Sequence, residues 1–559
     1  MESFLKPLPY SGEGDGGVVV LKVPEDDPLF KKKTKLLKDK GFITSEHLCF
    51  DLASKSDSMD TMLDTLLQIA RIIHLNDIEL YFSSMMVESV KEWYSPRNEL
   101  EALNFILFKV DLCRKITNSK SKASLQNLRD AIIKKIETFG NQNKVETKIV
   151  NGACDNENRL IKWAESGGVK SKLQIAYVEG AGRGALAKED LGVGDIALEI
   201  PISVVISEDV VYESDMIHIL RNIDGITAET MLLLWSMRER HNVKSNYKLY
   251  FDALPEEFNT GLSFGLDAMM ALDETLVSEE IFEAKEHLRS RYDELFPALC
   301  VANPDIFPPE YYTWEHYLWA CELWYSNSMK IMLPNGQLRT CLIPVAGFLN
   351  HSVCPHILHY GKVDSATNTL KFRLSRPCKK GEQCYLSYGN LPSSHLLTFY
   401  GFLPQEDNPY DVIPLDIEAA QDCSSEEVDL APDTTTHLVR GTWHAVNQGI
   451  FHYGLPPAML EHLRKASNPG LHTMTLLQES LETELSVLDD LYAIFDNMMD
   501  KLGDPEMDDR ENTKWDVQLA IKCKDLQRNI VSSILKACHA GREMVEYELK
   551  KCMSEDFRG

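Results

Sequence analysis

Leu349-Asn350-His351-Ser352-Val353-Cys354-Pro355-His356, followed in the same section by Leu386-Ser387-Tyr388-Gly389, is the stretch on which the fold turns. Asn350 and His351 come at the end of the apolar run 342–349. Two polar side chains entering a core must be hydrogen-bonded or must hold a ligand. Tyr388 ends a strand-like segment just before Gly389, and Tyr400 precedes Gly401 and Phe402. A buried tyrosine whose hydroxyl faces a cavity can orient an amine or stabilise a developing charge. Taken singly, each piece also reads as ordinary structure: a satisfied buried histidine near a turn, and core tyrosines.

Around this stretch, strands are expected at 341–345, 370–374 and 384–387, with Gly381 turning the chain before the last. Upstream, 173–178 alternates apolar residues as a strand does, and 196–200 is a second strand stopped by Pro201. Between them lies GAGRGALA at 180–187, whose glycines Gly180, Gly182 and Gly184 suit a hairpin or a close backbone approach to a ligand. No long helix follows, so this is not a dinucleotide fingerprint. Leu160, Ile161 and Trp163 belong to a short amphipathic helix, and 206–335 reads as a helical insertion splitting a β-rich domain.

Both ends of the chain read as helical. Met62, Leu63, Leu66, Leu67, Ile69, Ala70 and Ile73 recur at helical spacing, as do Leu100, Leu103, Ile106 and Leu107. Residues 118–124 read as a loop with Ser124 as an N-cap. After Pro414, Glu426-Glu427-Val428-Asp429 and Pro432 suggest another loop. Leu477, Leu481, Leu485, Leu488, Leu491, Phe495 and Met499 then form one apolar stripe, and Trp515, Leu519, Leu526, Ile530 and Ile534 a second.

With 559 residues, two to four domains are expected, and 44% hydrophobic against 26% charged residues is ordinary globular composition. A net charge of -27 makes nucleic acid and anionic lipid poor partners and a protein segment a better one. Thirteen cysteines without a Cys-x-x-Cys pair suit free thiols in a reducing compartment. Cys378 and Cys384 are the closest pair, at a spacing that suits no common zinc knuckle. No apolar secretory segment and no membrane-length run is seen, so a cytoplasmic protein is expected. The lysines from Lys31 to Lys40 read as a solvated helix face, with a nuclear signal as the alternative.

In this order and spacing the glycine hairpin, Asn350-His351 and Ser387-Tyr388-Gly389 resemble the SET-domain protein methyltransferases. The resemblance is to the branch of the Rubisco lysine methyltransferase and the actin-histidine methyltransferase, as a plant-type member. It extends through GAGRGALAKEDLGVGDIALEIP at 180–201, YKLYFDALPEEFNTGLSF at 247–264 and YTWEHYLWA at 312–320, covering roughly 155–545.

The resemblance implies an α+β fold: a β-rich SET domain of small sheets with a knot-like C-terminal segment at 155–410, split by the helical insertion. A helical extension at 1–150 precedes it, and an all-α domain at 415–555, similar to the branch's substrate-binding helices, follows. It implies S-adenosyl-L-methionine as cofactor, bound by Gly182, Arg183, Gly184, Ala185, Asn350 and His351. Tyr388 would be catalytic, Asn327 and Tyr400 would bind substrate, and no metal is implied. The implied activity is methylation of lysine on a non-histone protein. Histidine methylation and a catalytically weak SET scaffold that binds a partner through its helices are the alternatives.

Three positions depart from the branch's pattern. Asn327 stands where an arginine follows serine, with Lys330 the cation that could replace its charge. Gly347 stands where an acidic residue is common, and Ala185 where leucine is usual.

Overall fold

The glycine-bearing segment folds as the alternation requires. Strands Leu173–Val178 and Gly182–Ala187 pair antiparallel, Val178 opposite Gly182, and Ile149–Gly152 adds a third strand beside the first. Gly180 and Gly182 take positive φ at the turn (72° and 65°), where L side chains are strained. This computed structural model describes residues 18–42, 48–51, 59–83, 94–116, 119–417, 436–441, 449–470, 474–504 and 513–556. The expected loop at 426–432 lies outside them. The chain divides into two compact units, one of residues up to Phe258 with His287–Asn390, the other of Asn259–Glu286 with Leu391–Gly559.

In the first unit, Ile196–Pro201 is sandwiched in a four-stranded sheet between Thr369–Arg373 and Lys170–Ser171. A further ladder pairs Ser328–Met332 with Leu338–Leu342. The strand expected at 341–345 therefore sits earlier, because the chain leaves its ladder after Leu342 and turns through Val345 at φ 72°. Most of the insertion is helical. Thr227 caps Ala228–Glu239 by accepting from the Thr230 amide, and Thr313 caps Trp314–Asn327 through the His316 amide. Trp324 Nε1 donates to Ser236 Oγ (2.9 Å), tying those two helices together.

The N-terminal helices belong to this same unit. In Met59–Ile73 the stripe Leu63, Leu66, Leu67, Ala70 and Ile73 is buried, and Leu100, Leu103 and Ile106 of Pro96–Ile116 are wholly buried. Charges are buried among them. Arg71 forks onto Glu99 (2.5 and 2.9 Å), and Arg97 lies between Glu79 (3.4 Å) and Glu101 (3.7 Å). Residues 119–124 are not a loop: they open the helix Ser119–Gln142, and Ser124 lies inside it. The lysines and alanine there are good helix formers, and they outweigh the serines that suggested a turn. Polar contacts fasten this N-terminal section to the segments after the insertion: Asn104 Nδ2 to the Ser375 carbonyl (2.9 Å), His359 Nε2 with Glu101 (2.8 Å), and the Gln383 amide to Thr147 Oγ1 (3.0 Å).

The second unit is held by aliphatic side chains. Leu481, Leu488, Leu491 and Phe495 of Gln478–Leu502 are fully buried against Tyr453, Val531, Ile534 and Cys538. Leu477 is not part of that stripe: it is the N-cap residue and is 66% exposed. In Trp515–Asp556 the buried apolar line is Ala520, Ile521, Cys523, Val531, Ile534, Cys538 and Val545, while Trp515 is 39% exposed. The helix runs past two hydrophobic clusters, so no single period describes its buried side. A short ladder, Ile413–Asp416 with Thr436–Val439, makes this unit less than purely helical. No helix among the described residues is long and apolar enough to cross a membrane.

Candidate functional site

The segment expected as a strand at 384–387 is a thread instead. Its Leu386 makes single bridges to His351 and Ile357, and the preceding Gln383 one to Leu186, rather than one ladder. The Cys384 amide donates to the Ala185 carbonyl (2.7 Å), and Leu386 N–H to the Asn350 carbonyl (2.8 Å). Ser387 N–H donates to the Ile357 carbonyl (3.1 Å), and both His356 and Ile357 amides donate to Tyr385. The thread thus passes between the hairpin and the two arms of 350–357, which is the knot-like segment the resemblance implies.

This threading gathers Asn350, His351 and Tyr388. His351 Nδ1 accepts the Tyr388 amide (3.1 Å), and the two rings stack at 5.2 Å. Burial pushes the imidazole down to about 4, so it is neutral near pH 7. Tyr388 Oη donates to the Leu349 carbonyl (2.9 Å). The Asn350 amide donates to Gln383 Oε1 (2.6 Å) and to the Arg183 carbonyl (3.0 Å), with a longer contact to Ala181. Gln383 in turn donates to Tyr385 Oη (2.8 Å). A Cβ on Gly184 would stand 2.4 Å from Gln383 Oε1, so a side chain there would displace Gln383 from Asn350.

Gly182, Arg183, Gly184 and Ala185 meet this cluster through backbone. The Arg183 guanidinium is turned away: it binds the Ala253 carbonyl, pairs with the buried Glu157 (3.7 Å) and lies over Phe348 (5.4 Å). The side chains that remain are neutral. With its amide hydrogens committed, Asn350 offers Oδ1 as an acceptor. Tyr388, donating to Leu349, offers the hydroxyl lone pairs. Such a cradle suits a cationic ligand bearing N–H groups.

Asn327 and Gly347 meet each other. A Cβ on Gly347 would lie 3.1 Å from Asn327 Oδ1, and Asn327 Nδ2 donates to Ser326 Oγ (2.7 Å). The two departures are therefore a single local change that removes opposite charges together. Lys330 is exposed on Ser328–Met332. Tyr400 belongs to the second unit. It ends the π-turn Leu396–Tyr400, burial raises its hydroxyl, and a Cβ on the following Gly401 would lie 1.7 Å from the Asn259 carbonyl.

Sequence reasoning missed Gln383, Tyr385 and Thr147, and it left Cys378 and Cys384 without a partner. The sulfurs of those two cysteines and a ring nitrogen of His356 lie within 4.8 Å of one another, all buried. The one signal available for Gln383 was Gly184, whose missing side chain had to face something.

Hairpin, thread and neutral cluster define a SET fold of the Rubisco-methyltransferase kind. A structure of the SET domain of LSMT bound to lysine and AdoHcy superposes with a TM-score of 0.51 at 19% identity, covering 71% of this chain and 92% of that one. The chain is also similar in sequence to SET-domain protein methyltransferases. A chloroplastic fructose-bisphosphate aldolase-lysine N-methyltransferase of Arabidopsis thaliana is 25% identical over 331 residues, 56% of this chain and 65% of that protein. An actin-histidine N-methyltransferase of Gallus gallus is 24% identical over 255 residues, 44% of this chain and 42% of that one. The chain spans 60–65% of the length of the first such relatives. The chloroplastic relative lends the cytoplasmic expectation no support. The family model for Rubisco LSMT substrate-binding matches residues 24–159. That stretch is the N-terminal helical section, not 415–555, where the resemblance puts the substrate-binding helices.

Proposed function

We propose that the chain is an S-adenosyl-L-methionine-dependent protein-lysine N-methyltransferase acting on a non-histone protein. The observation that carries this is the neutral cluster, in which Asn350 and Tyr388 offer acceptors and His351 adds no fixed charge. The residues present fit the cofactor: Asn350 Oδ1 and the hairpin backbone would accept from its ammonium, and a cradle without a cation of its own tolerates a sulfonium. When bound, the cofactor supplies an activated methyl group.

The rest is positioning by this chain. Tyr388 Oη, fixed on the Leu349 carbonyl, presents lone pairs to an incoming amine and holds it in line. His351 holds the Tyr388 backbone through Nδ1 and takes no proton near pH 7. A target lysine must arrive without its proton, and low polarity around the stacked His351 and Tyr388 rings favours the neutral amine.

The protein partner would dock on helices, and the -27 net charge favours a basic or neutral segment over nucleic acid. Two helical sections qualify: 24–159, which the substrate-binding model matches, and the helices within 415–555. A second reading, histidine as target, is favoured by the actin-histidine relative. Radiolabelled methyl transfer to cell extract, with identification of the labelled residue, separates the two. Absence of any labelled protein, with cofactor binding intact, would favour the partner-binding scaffold.

A further inference from the structure

We infer that His356, Cys378 and Cys384 form a binding site for a thiophilic d10 cation, Zn(II) or Cu(I). The three residues come from three separate segments of the chain. His356 lies on the arm that pairs with Tyr385, Cys378 on the bridge to Leu191, and Cys384 on the thread against Ala185. Both cysteines are 0% exposed and His356 is 3% exposed.

Two observations point independently to a missing ligand. The first is the gathering itself: a ring nitrogen and two sulfurs lie within 4.8 Å of one another. A bound ion at ~2.0 Å from nitrogen and ~2.3 Å from sulfur sets such atoms roughly 3.5–4 Å apart, so side-chain rotation alone closes the set. The second is an orphaned polar atom. His356 Nδ1 accepts the Tyr385 amide (3.0 Å), which leaves the proton on Nε2, and Nε2 is buried with no hydrogen-bond partner. Buried polar atoms without partners are rare and want an explanation.

Buried Arg376 lies beside the group, held by the Cys354 and Pro355 carbonyls. No carboxylate and no fourth cysteine or histidine joins the set among the described residues. Two thiolates and an imidazole are soft ligands, and three of them suit trigonal Cu(I), or Zn(II) with one further exogenous ligand.

Binding balances simply. The thiol protons of Cys378 and Cys384 leave to solvent, and two metal–sulfur bonds form. The imidazole proton moves from Nε2 to Nδ1, Nε2 takes the ion, and the Tyr385 amide loses its acceptor. The Tyr385 amide hydrogen bond and the Cys378 thiol hydrogen bond to the Glu382 carbonyl (3.8 Å) are exchanged for three metal bonds. The site would clamp the thread at the point where Gln383 and Tyr385 flank Cys384.

The test uses the full chain, reduced, stripped with a chelator and kept anaerobic. Titration with Co(II) should give one bound ion per chain with thiolate-to-cobalt absorption in the near ultraviolet, displaced by Zn(II). A parallel arm measures competition for Cu(I) against bicinchoninate. Uptake of Co(II) and Zn(II) assigns the Zn(II) form, and uptake of Cu(I) alone assigns the trigonal one. Cys378→Ser and Cys384→Ala should each abolish uptake, while Cys341→Ser, at another buried cysteine, should keep it. Should the site variants fail to fold, X-ray absorption of the loaded wild-type chain should still read two sulfurs per ion. Wild-type protein that takes up neither ion, an absorption band that survives both site variants, or a shell without sulfur would overturn the inference.

Discussion

The helical sections at the two ends of the chain are built on different principles. Around Met59–Ile73 and Pro96–Ile116 the core contains paired charges, Arg71 with Glu99 and Arg97 between Glu79 and Glu101. Around Gln478–Leu502 and Trp515–Asp556 it is mostly apolar, with partly buried Arg464 on buried Glu484 (2.5 Å) and buried Arg528 on Asp525 (2.8 Å) among its charges. The difference teaches where each section's specificity lies. Aliphatic packing is forgiving of register, whereas a buried ion pair punishes any arrangement that separates its members. The N-terminal section is also the one whose polar contacts reach the thread, through Thr147 and Gln383.

The largest effect that would sharpen this contrast is in the C-terminal helices. Phe495→Ala should cost ~3–5 kcal/mol in urea unfolding, the range for deleting a buried aromatic ring. Close behind, Arg71→Met should cost about 3 kcal/mol by stranding Glu99 in the core, whereas Arg71→Met with Glu99→Leu should be near neutral. A double variant as unstable as the single one would break the contrast, because the pair would then be supplying net stability.

Acid distinguishes the sections next. His74 Nε2 is buried and unpartnered, and burial pushes the half-buried ring down to about 4. The unfolded chain takes up its proton near pH 6.5 and the folded one does not, so stability falls as pH drops from 6.5 towards 4, on the order of 3 kcal/mol at the end. His359 runs the other way: Glu101 raises it, so its contribution is present below pH 6.5 and fades as pH rises through the raised value. Hydrogen exchange at pH 7 and pH 4.5 should show amides of 59–73 and 96–116 losing protection before those of 478–502. Equal loss in both would remove the distinction. The smallest effect is Thr147→Val, which leaves the Gln383 amide unpaired and should weaken cofactor binding roughly fivefold, ~1 kcal/mol, in calorimetry.

The same contrast explains what was legible in the sequence. The hairpin at 173–187 and the stripe ending at Phe495 follow from alternation and helical period, which are local signals. Glu79, Glu99, Arg71 and Arg97 carry no such signal: a charge reads as surface until its partner, 28 residues away for Arg71, is known. The thread at 384–387 read as a strand because its residues are apolar, yet its bonds go singly to Ala185, Asn350 and Ile357. Asn350, His351 and Tyr388 could be chosen from their order, and the structure brings them together. Gln383 and Thr147, which steady Asn350, have ordinary neighbours in sequence.

The central claim is that this cluster holds S-adenosyl-L-methionine, and calorimetry with that cofactor tests it most directly. Wild-type protein should bind it, and Asn350→Ala, which removes the acceptor anchored on Arg183 and Gln383, should weaken binding by about tenfold or more. No binding by folded wild-type protein at millimolar cofactor, or equal binding by the two proteins, would contradict the account.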